Sequence, residues 1–155
     1  MKKYIKYFKY LIKHKWYVML ECFKFGLYWR GIIHDISKIL PDELIPYTNY
    51  FYGKNVIHTQ IGGDDPDFDL AWLKHQKRNK HHWQYWILRE DQGALKCLDM
   101  PEKYATEMFC DWVGAGKALH GKNEIKEWYE ENKNNIKLSS KTREYIEGLI
   151  RTRKN

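Results

Sequence analysis

The chain has 155 residues, of which 43% are hydrophobic and 30% are charged, a balance typical of soluble globular proteins. This composition excludes a disordered tail, a collagen-like chain and a membrane bundle, and only 10 glycines and 4 prolines are too few for a β-fold with many turns. The net charge of +7 favours anionic partners such as phosphate esters, nucleic acid or an anionic membrane surface.

The three cysteines indicate a reducing compartment. Their number is odd and no two have a CxxC spacing, which argues for reduced thiols and against a disulfide framework. The apolar residues between positions 17 and 33 are interrupted by charged side chains, Glu21, Lys24 and Arg30. Neither a secretory signal nor a transmembrane helix fits this pattern, so we expect a cytoplasmic protein without a transmembrane segment.

Residues 2–29 are predicted to form one long helix with two apolar stripes. Both stripes repeat at steps of three and four residues. The first consists of Ile5, Phe8, Ile12, Trp16, Met19 and Phe23, and the second of Tyr7, Leu11, Val18 and Cys22. A helix that is apolar on two sides is expected to lie at the centre of the fold.

Shorter elements follow Gly31, which is predicted to break the first helix. A short helix is expected over 32–39 and another over 41–51, since Pro41 suits a first helical turn. Residues 53–69 are predicted to be a loop. The loop contains a run of acids, Asp64, Asp65, Asp67 and Asp69. Because this run lacks the spacing and the glycine of a calcium loop, it is interpreted as solvated or as a helix cap.

The second half of the chain is also predicted to be helical. Residues 71–89 form one helix, and Asp99 and Pro101 start another that reaches about residue 113 and frays at Gly114 and Gly116. Two further helices are expected over 124–132 and 140–150. Since no long alternation of polar and apolar residues occurs, we predict an all-α fold, a compact helical bundle in a single domain over residues 1–155.

The seven histidines are the most informative residues. Positions seven apart on a helix share a face, at about 100° per residue, so His75 and His82 are expected to point the same way and His81 to point away as a surface residue. His14 and Asp111 lie on two other predicted helices. Three helices can thus direct imidazole and carboxylate groups to a common interior, a donor set that suits zinc, iron, manganese or nickel.

The order of these residues resembles the HD superfamily of metal-dependent phosphohydrolases. The family pattern is a His, then an adjacent His-Asp pair, then a much later Asp, and it is matched here by His14, His34, Asp35 and Asp111. The resemblance covers about residues 10–115 and implies a helical bundle of HD type with a metal site. Binuclear members have two further histidines between the pair and the last Asp, the role that His75 and His82 would take. The resemblance thus implies one or two divalent ions of Mn, Fe, Zn, Ni or Co.

The segments HDISK and NKHHWQYW are also similar to segments of a small, uncharacterised family of bacterial and phage proteins. This match implies no activity. Other residues in the chain have simpler interpretations. His58 and His120 are adjacent to loop residues and are expected in solvent. The cluster of Trp83, Tyr85 and Trp86 is interpreted as core and not as a stacking platform.

The resemblance implies hydrolysis of a nucleotide or another small phosphate ester by a metal-activated water. Cationic side chains would offset the substrate's charge, and Lys38 together with Lys77 or Arg78 is a candidate. Lys38 could instead pair only with Asp42 or Glu43. Glu107 lies one turn before Asp111, where it could ligate the metal or accept a hydrogen bond from a ligating histidine.

Two other functions fit the sequence. Some HD relatives bind two irons through six His and Asp ligands and activate oxygen, so a di-iron oxygenase is the second enzyme hypothesis. The third is a non-catalytic binding module, because the basic N-terminal helix alternates lysines with tyrosines and could bind nucleic acid or an anionic membrane. Against this third hypothesis, the same helix could be a core helix with a solvated lysine face.

Overall fold

A computed structural model describes residues 1–53 and 65–153, and the predicted all-α class is confirmed. In these residues the α-helices are α1 (Lys2–Lys24), α2 (Tyr28–Ile33), α3 (Pro41–Tyr52), α4 (Pro66–Arg78), α5 (Glu102–His120), α6 (Ile125–Asn132) and α7 (Ser140–Thr152). Two 3-10 helices cover Ile36–Ile39 and Trp83–Trp86, and an antiparallel hairpin pairs β1 (Ile87–Arg89) with β2 (Leu95–Cys97) in the register Ile87 to Cys97. None of the described helices is long and apolar enough to cross a membrane.

Helices α1 and α5 form the centre of the bundle, and Gly114 lets them approach closely. A Cβ atom at Gly114 would lie 2.5 Å from Val18 Cγ2 and 2.9 Å from the backbone nitrogen of Val18. The prediction that α5 frays at Gly114 and Gly116 is therefore wrong. The helix continues to His120 and ends at Gly121, whose φ of 79° lies in the left-handed region.

The prediction of one helix over residues 2–29 is also wrong. Helix α1 ends at Lys24, and Gly26, with a φ of 70°, turns the chain so that α2 packs back on α1. Gly31 lies inside α2 and not at a break. A Cβ atom there would lie 3.0 Å from Cys22 Cβ and 3.1 Å from Met19 Cα, so this glycine permits a close helix contact.

The predicted helix over 32–39 is interrupted at His34 and Asp35. His34 leaves the helical conformation with a ψ of 129°, and Asp35 has a φ of 52°. The chain then resumes as the 3-10 helix Ile36–Ile39, and α3 begins at Pro41, where it was expected. Helix α4 begins earlier than predicted, because Asp65 caps it by accepting a hydrogen bond from the Phe68 N–H at 3.0 Å. His58 and Asp64 lie outside the described residues.

Helix α4 ends at Arg78 and does not extend to residue 89. The Asn79 side-chain amide donates to the His75 carbonyl at 2.9 Å and to Ser37 Oγ at 2.8 Å. Asn side chains that bond to nearby backbone compete with helix continuation in this way. The chain then turns into the second 3-10 helix and the hairpin, whose three-residue strands are too short to show a clear alternation.

The buried stripe of α1 connects two apolar clusters. Tyr7 and Leu11 belong to a cluster with α3 and α4, whereas Val18 and Cys22 belong to a larger cluster with α5, α6 and α7. His14 lies between the two on the same stripe and is buried. Trp83 and Trp86 are only partly buried and pack against the edge of the larger cluster, and Tyr85 is not among the residues that contact it, so the prediction of a core role holds only in part. The other apolar stripe of α1 faces solvent, so the expectation that α1 is enclosed on both sides is wrong.

Candidate metal centre

Four side chains from three parts of the chain converge on a first potential metal site. They are His14 of α1, His34 and Asp35 after α2, and Asp111 of α5, and each offers one ligand atom within 4.8 Å of the others. His14 Nε2 lies 3.1 Å from Asp111 Oδ1, and His34 Nε2 lies 3.4 Å from the same oxygen and 3.5 Å from Asp35 Oδ2. The geometry thus brings together all four residues of the sequence pattern.

A second potential metal site shares Asp35 with the first. Its members are Asp35, His75, His81 and His82, again with one ligand atom each within 4.8 Å. The Nε2 atoms of His75 and His81 both lie 3.3 Å from Asp35 Oδ1. One oxygen of Asp35 therefore faces the first site and the other faces the second, the arrangement of a carboxylate that bridges two ions.

His81 lies in a different place from the one predicted. His81 was expected to point away from the site, but it is buried and its Nε2 faces Asp35 and Asp111. The expectation assumed a helix through residue 89, and because α4 ends at Arg78 the helical spacing does not apply to residues 81 and 82. For the same reason His75 and His82 are not separated by two helical turns, and their ring centroids are 4.7 Å apart.

The convergent atoms have no hydrogen-bond partner among the described residues. They are the buried Nε2 atoms of His14, His34, His75, His81 and His82, and Asp35 Oδ1. Buried polar atoms are normally paired, because an unpaired one costs about 1–3 kcal/mol. Because these atoms can each donate a lone pair and converge on one interior volume, they are suited to bind cations.

Glu107 supports the histidines from behind. Its Oε1 lies 3.1 Å from His34 Nδ1 and 3.4 Å from His81 Nδ1, and its Oε2 accepts from Arg30 Nη1 at 2.6 Å. A hydrogen bond from Nδ1 leaves the Nε2 lone pair available for a metal. Glu107 thus lies where an acceptor for both imidazoles is expected, and His34, His81 and Glu107 also form a group that could hold a metal ion, so both roles expected for Glu107 stay open.

Arg78 has a different position from the one expected for a phosphate ligand. Its Nη1 donates to Glu43 Oε1 at 2.7 Å and to Asp42 Oδ1 at 3.0 Å, and its Nη2 donates to Asp42 Oδ2 at 2.8 Å. These carboxylates occupy the guanidinium fork, so Arg78 is paired within the fold. Glu43 Oε2 in turn lies 2.8 Å from His75 Nδ1, so this chain of contacts orients His75.

Lys38 lies beside Asp35, the residue shared by the two potential sites. Its Nζ is 2.7 Å from Asp35 Oδ2, and its side chain is 15% exposed. The alternative, in which Lys38 pairs only with Asp42 or Glu43, is wrong, since Arg78 holds both of those groups. Lys77 is exposed on α4, and His120 is exposed at the end of α5 beside Glu124.

The chain was compared with known proteins. A model of a family of unknown function, DUF5662, matches residues 3–152. The chain belongs to this family. No curated protein and no solved structure matches it. The description of DUF5662 assigns no activity.

The electrostatics of this DUF5662 site favour cations. Burial disfavours charged carboxylates, but the neighbouring histidines outweigh burial and hold the pKa of Asp111 well below its usual range and lower the pKa of Glu107 to about 2. The pKa of Asp35 is also held well below its usual range, because His34 and Lys38 together outweigh the effect of burial. Burial opposes the imidazolium of His34, yet the adjacent carboxylates raise its pKa to about 10. The site thus holds ionised carboxylates that attract protons or metal ions.

His82 differs from His34 in its protonation. Burial, reinforced by the adjacent His81 and His75, holds the pKa of His82 well below its usual range. A neutral imidazole retains a lone pair, which is the form that binds a metal. His82 of this DUF5662 chain can therefore bind a metal without first losing a proton.

Proposed function

We propose that this DUF5662 protein is a metal-dependent phosphohydrolase of HD type that acts on a nucleotide or another small phosphate ester. One observation carries the proposal: five buried imidazole Nε2 atoms and Asp35 Oδ1 converge without hydrogen-bond partners among the described residues. The resemblance of the ligand order to the HD superfamily supports the same function. The net charge of +7 fits an anionic substrate.

Two divalent transition-metal ions fit the donor set. His14, His34, Asp35 and Asp111 would hold the first ion, and Asp35, His75, His81 and His82 the second. A mixture of imidazole and carboxylate ligands suits Mn, Fe, Zn, Ni or Co. When bound, such an ion lowers the pKa of a coordinated water to about 7 and polarises a phosphoryl oxygen.

The protein's own residues would position and neutralise the substrate. Lys38 would offset the negative charge of the phosphoryl group, since its ammonium group lies at the bridging carboxylate and its side chain reaches solvent. Glu107 and Glu43 would keep the Nε2 atoms of His34 and His75 directed at the ions through hydrogen bonds to Nδ1. Arg78 would act only through Glu43.

A di-iron oxygenase is the second candidate, and the position of His81 favours it. With His81, the second site has three imidazoles and a carboxylate, a donor set that also suits iron. Oxygen consumption by the iron-loaded protein, measured beside phosphate release, distinguishes the two functions. Oxygen uptake without phosphatase activity on any nucleotide would favour the oxygenase.

The test uses metal-stripped protein reloaded with one ion at a time. We expect bound Mn, Fe, Zn, Ni or Co by elemental analysis and release of phosphate from at least one nucleotide. His34→Ala should lose metal and activity together, whereas His120→Ala, an exposed histidine on α5, should keep both. Circular dichroism confirms that each variant is folded. Full metal occupancy in a folded His34→Ala variant would contradict the assignment.

A further inference from the structure

The outward face of α1 is an apolar surface that the described fold does not bury. Ile12 is 67% exposed and Trp16 is 55% exposed, values far above those of the inward stripe. The exposed apolar residues recur at helical spacing as Ile5, Phe8, Ile12, Trp16 and Leu20. We call these five residues the outer stripe. It lies on the opposite side of α1 from Leu11, His14 and Val18.

Helix α2 adds exposed apolar side chains beside α1. It packs back on α1, with Gly31 against Met19 and Cys22, and the rings of Phe23 and Tyr28 are 5.2 Å apart. Helix α2 exposes three large side chains, Tyr28 at 60%, Trp29 at 69% and Ile32 at 51%. Tryptophan is enriched at the boundary between lipid and water, where its ring is partly buried and partly hydrated.

A set of lysines borders the outer stripe. At about 100° per residue, the lysines occupy the sector of α1 next to the stripe. They are Lys2, Lys6, Lys9 and Lys13, and all four are exposed. Glu21, the single acidic residue of α1, is buried and accepts from Lys24 at 2.9 Å and Lys117 at 2.5 Å. The outward face of α1 is thus apolar and positively charged, with no acid from this helix.

We propose that α1 docks this DUF5662 protein on the surface of an anionic phospholipid bilayer. The outer stripe enters the boundary between headgroups and acyl chains, and the four lysines contact the lipid phosphates. Helices with an apolar stripe, basic flanks and aromatic side chains bind in the plane of the membrane surface in this way. This docking is independent of the metal sites, because His14 lies on the opposite, buried face of α1.

Charge and side-chain chemistry favour a bilayer over two other partners. A second copy seated on the same face would bring the lysines of both chains together, which repels. Nucleic acid would satisfy the lysines but gives little reason for exposed isoleucines, since single strands bind through stacking on aromatic rings. An anionic membrane accommodates both the lysines and the aliphatic side chains.

The test is flotation of the full chain with vesicles of phosphatidylcholine containing about one third phosphatidylglycerol. We expect co-flotation that weakens as salt is added and is lost with pure phosphatidylcholine. The triple variant Lys6→Gln, Lys9→Gln, Lys13→Gln should bind on the order of a hundredfold more weakly. Its matched control removes the same charge from exposed lysines elsewhere, Lys96→Gln, Lys103→Gln and Lys141→Gln, and should bind like the parent.

A second pair of variants tests the apolar contact. Ile12→Gln should reduce vesicle binding, whereas Leu95→Gln, at a residue 69% exposed on the hairpin, should not. Brominated lipids should quench the fluorescence of the parent more than that of Trp16→Phe. The proposal is overturned if both lysine triples bind equally, or if the parent forms a dimer that Ile12→Gln disrupts. It is also overturned if the parent binds an oligonucleotide but no anionic vesicle.

Discussion

At the scale of single residues, the backbone of Asp35 makes the candidate centre possible. Its φ of 52° lies in the left-handed region, and no other residue besides glycine has a positive φ among those the structure describes. Asp and Asn adopt this conformation more readily than most residues. The turn sends the Asp35 carboxylate between the two histidine sets. Such backbone strain persists where the surrounding structure holds it, and it is common at functional sites.

Asp35→Asn should remove both ions, whereas Asp111→Asn should remove mainly the first. Asn retains the shape of Asp and tolerates a positive φ, so the fold is preserved while the bridging charge is lost. Elemental analysis should then find close to no metal in Asp35→Asn and about half of the parent's content in Asp111→Asn. Equal metal content in the two variants would contradict a bridging role for Asp35.

Lys38→Met should keep the metal content and lower phosphatase turnover. Met retains most of the side-chain volume but removes the ammonium group 2.7 Å from Asp35 Oδ2. If Lys38 neutralises charge developing on the phosphoryl group, the loss of transition-state stabilisation is on the order of 2–4 kcal/mol. Steady-state kinetics on the nucleotide that the parent hydrolyses fastest measures this loss. Lys77→Met removes an exposed lysine from α4 and is the control, and equal kinetics in the two variants would exclude Lys38 from substrate contact.

At the scale of elements, the sequence predicts side-chain direction correctly where the helix inferred from periodicity is also a helix in the structure. His14, His34, Asp35 and Asp111 were expected together from their order, and the structure brings them together. His81 was misplaced, because side-chain direction can be extrapolated along a helix only as far as the helix extends. The Asn79 contact that ends α4 reaches Ser37, which is distant in sequence, so periodicity could not reveal it.

The sequence predicts that both glycines of α5, Gly114 and Gly116, fray the helix. In the structure their surroundings differ. Gly114 faces α1, where the chain has no room for a side chain, whereas a Cβ atom at Gly116 would have its nearest neighbour at 3.5 Å, an ordinary contact. The requirement for glycine is thus set by a helix 96 residues earlier in the chain, since Gly114 meets Val18. Local sequence carries no signal of that approach.

Gly114→Ala should therefore destabilise the protein, and Gly116→Ala should not. The added methyl at Gly114 meets the rigid backbone of Val18, and overpacking of this kind costs about 1–3 kcal/mol. At Gly116 the higher helix propensity of alanine should dominate and raise the free energy of unfolding by up to about 1 kcal/mol. Urea denaturation of the metal-free variants measures both. Equal free energies of unfolding would contradict the close packing of α1 on α5.

At the scale of the whole molecule, a buried polar layer separates two apolar clusters. Charged groups in such a layer are costly unless they are paired or bound to ions. His14 of α1, His75 of α4 and the carboxylates of α5 meet there, together with side chains from the segments that follow α2 and α4. The layer thus draws on elements from most of the chain. Metal binding would therefore stabilise the entire fold and not only the site.

The pH dependence of this stabilisation follows from His34 and Glu107. In the metal-free protein the pKa of His34 is raised from 6.5 to about 10, so its contribution to stability is full below about pH 6.5 and lost as pH rises towards 10. The pKa of Glu107 is lowered from 4.5 to about 2, so its contribution is present above about pH 4.5 and lost as pH falls towards 2. A bound metal has to replace the proton on His34, and this replacement becomes easier as pH rises.

The difference in Tm between metal-loaded and metal-free protein should therefore widen from pH 6 to pH 8. Raising the pH removes the proton that stabilises the metal-free fold and at the same time strengthens metal binding. Thermal melts in chelator and in excess Mn, at fixed ionic strength, measure the difference. His120→Gln should show the same widening as the parent, because His120 is exposed and remote from the ligand sets. A difference that stays constant or narrows with rising pH would show that the ion does not compete with the His34 proton, and the first metal site would then be wrongly assigned.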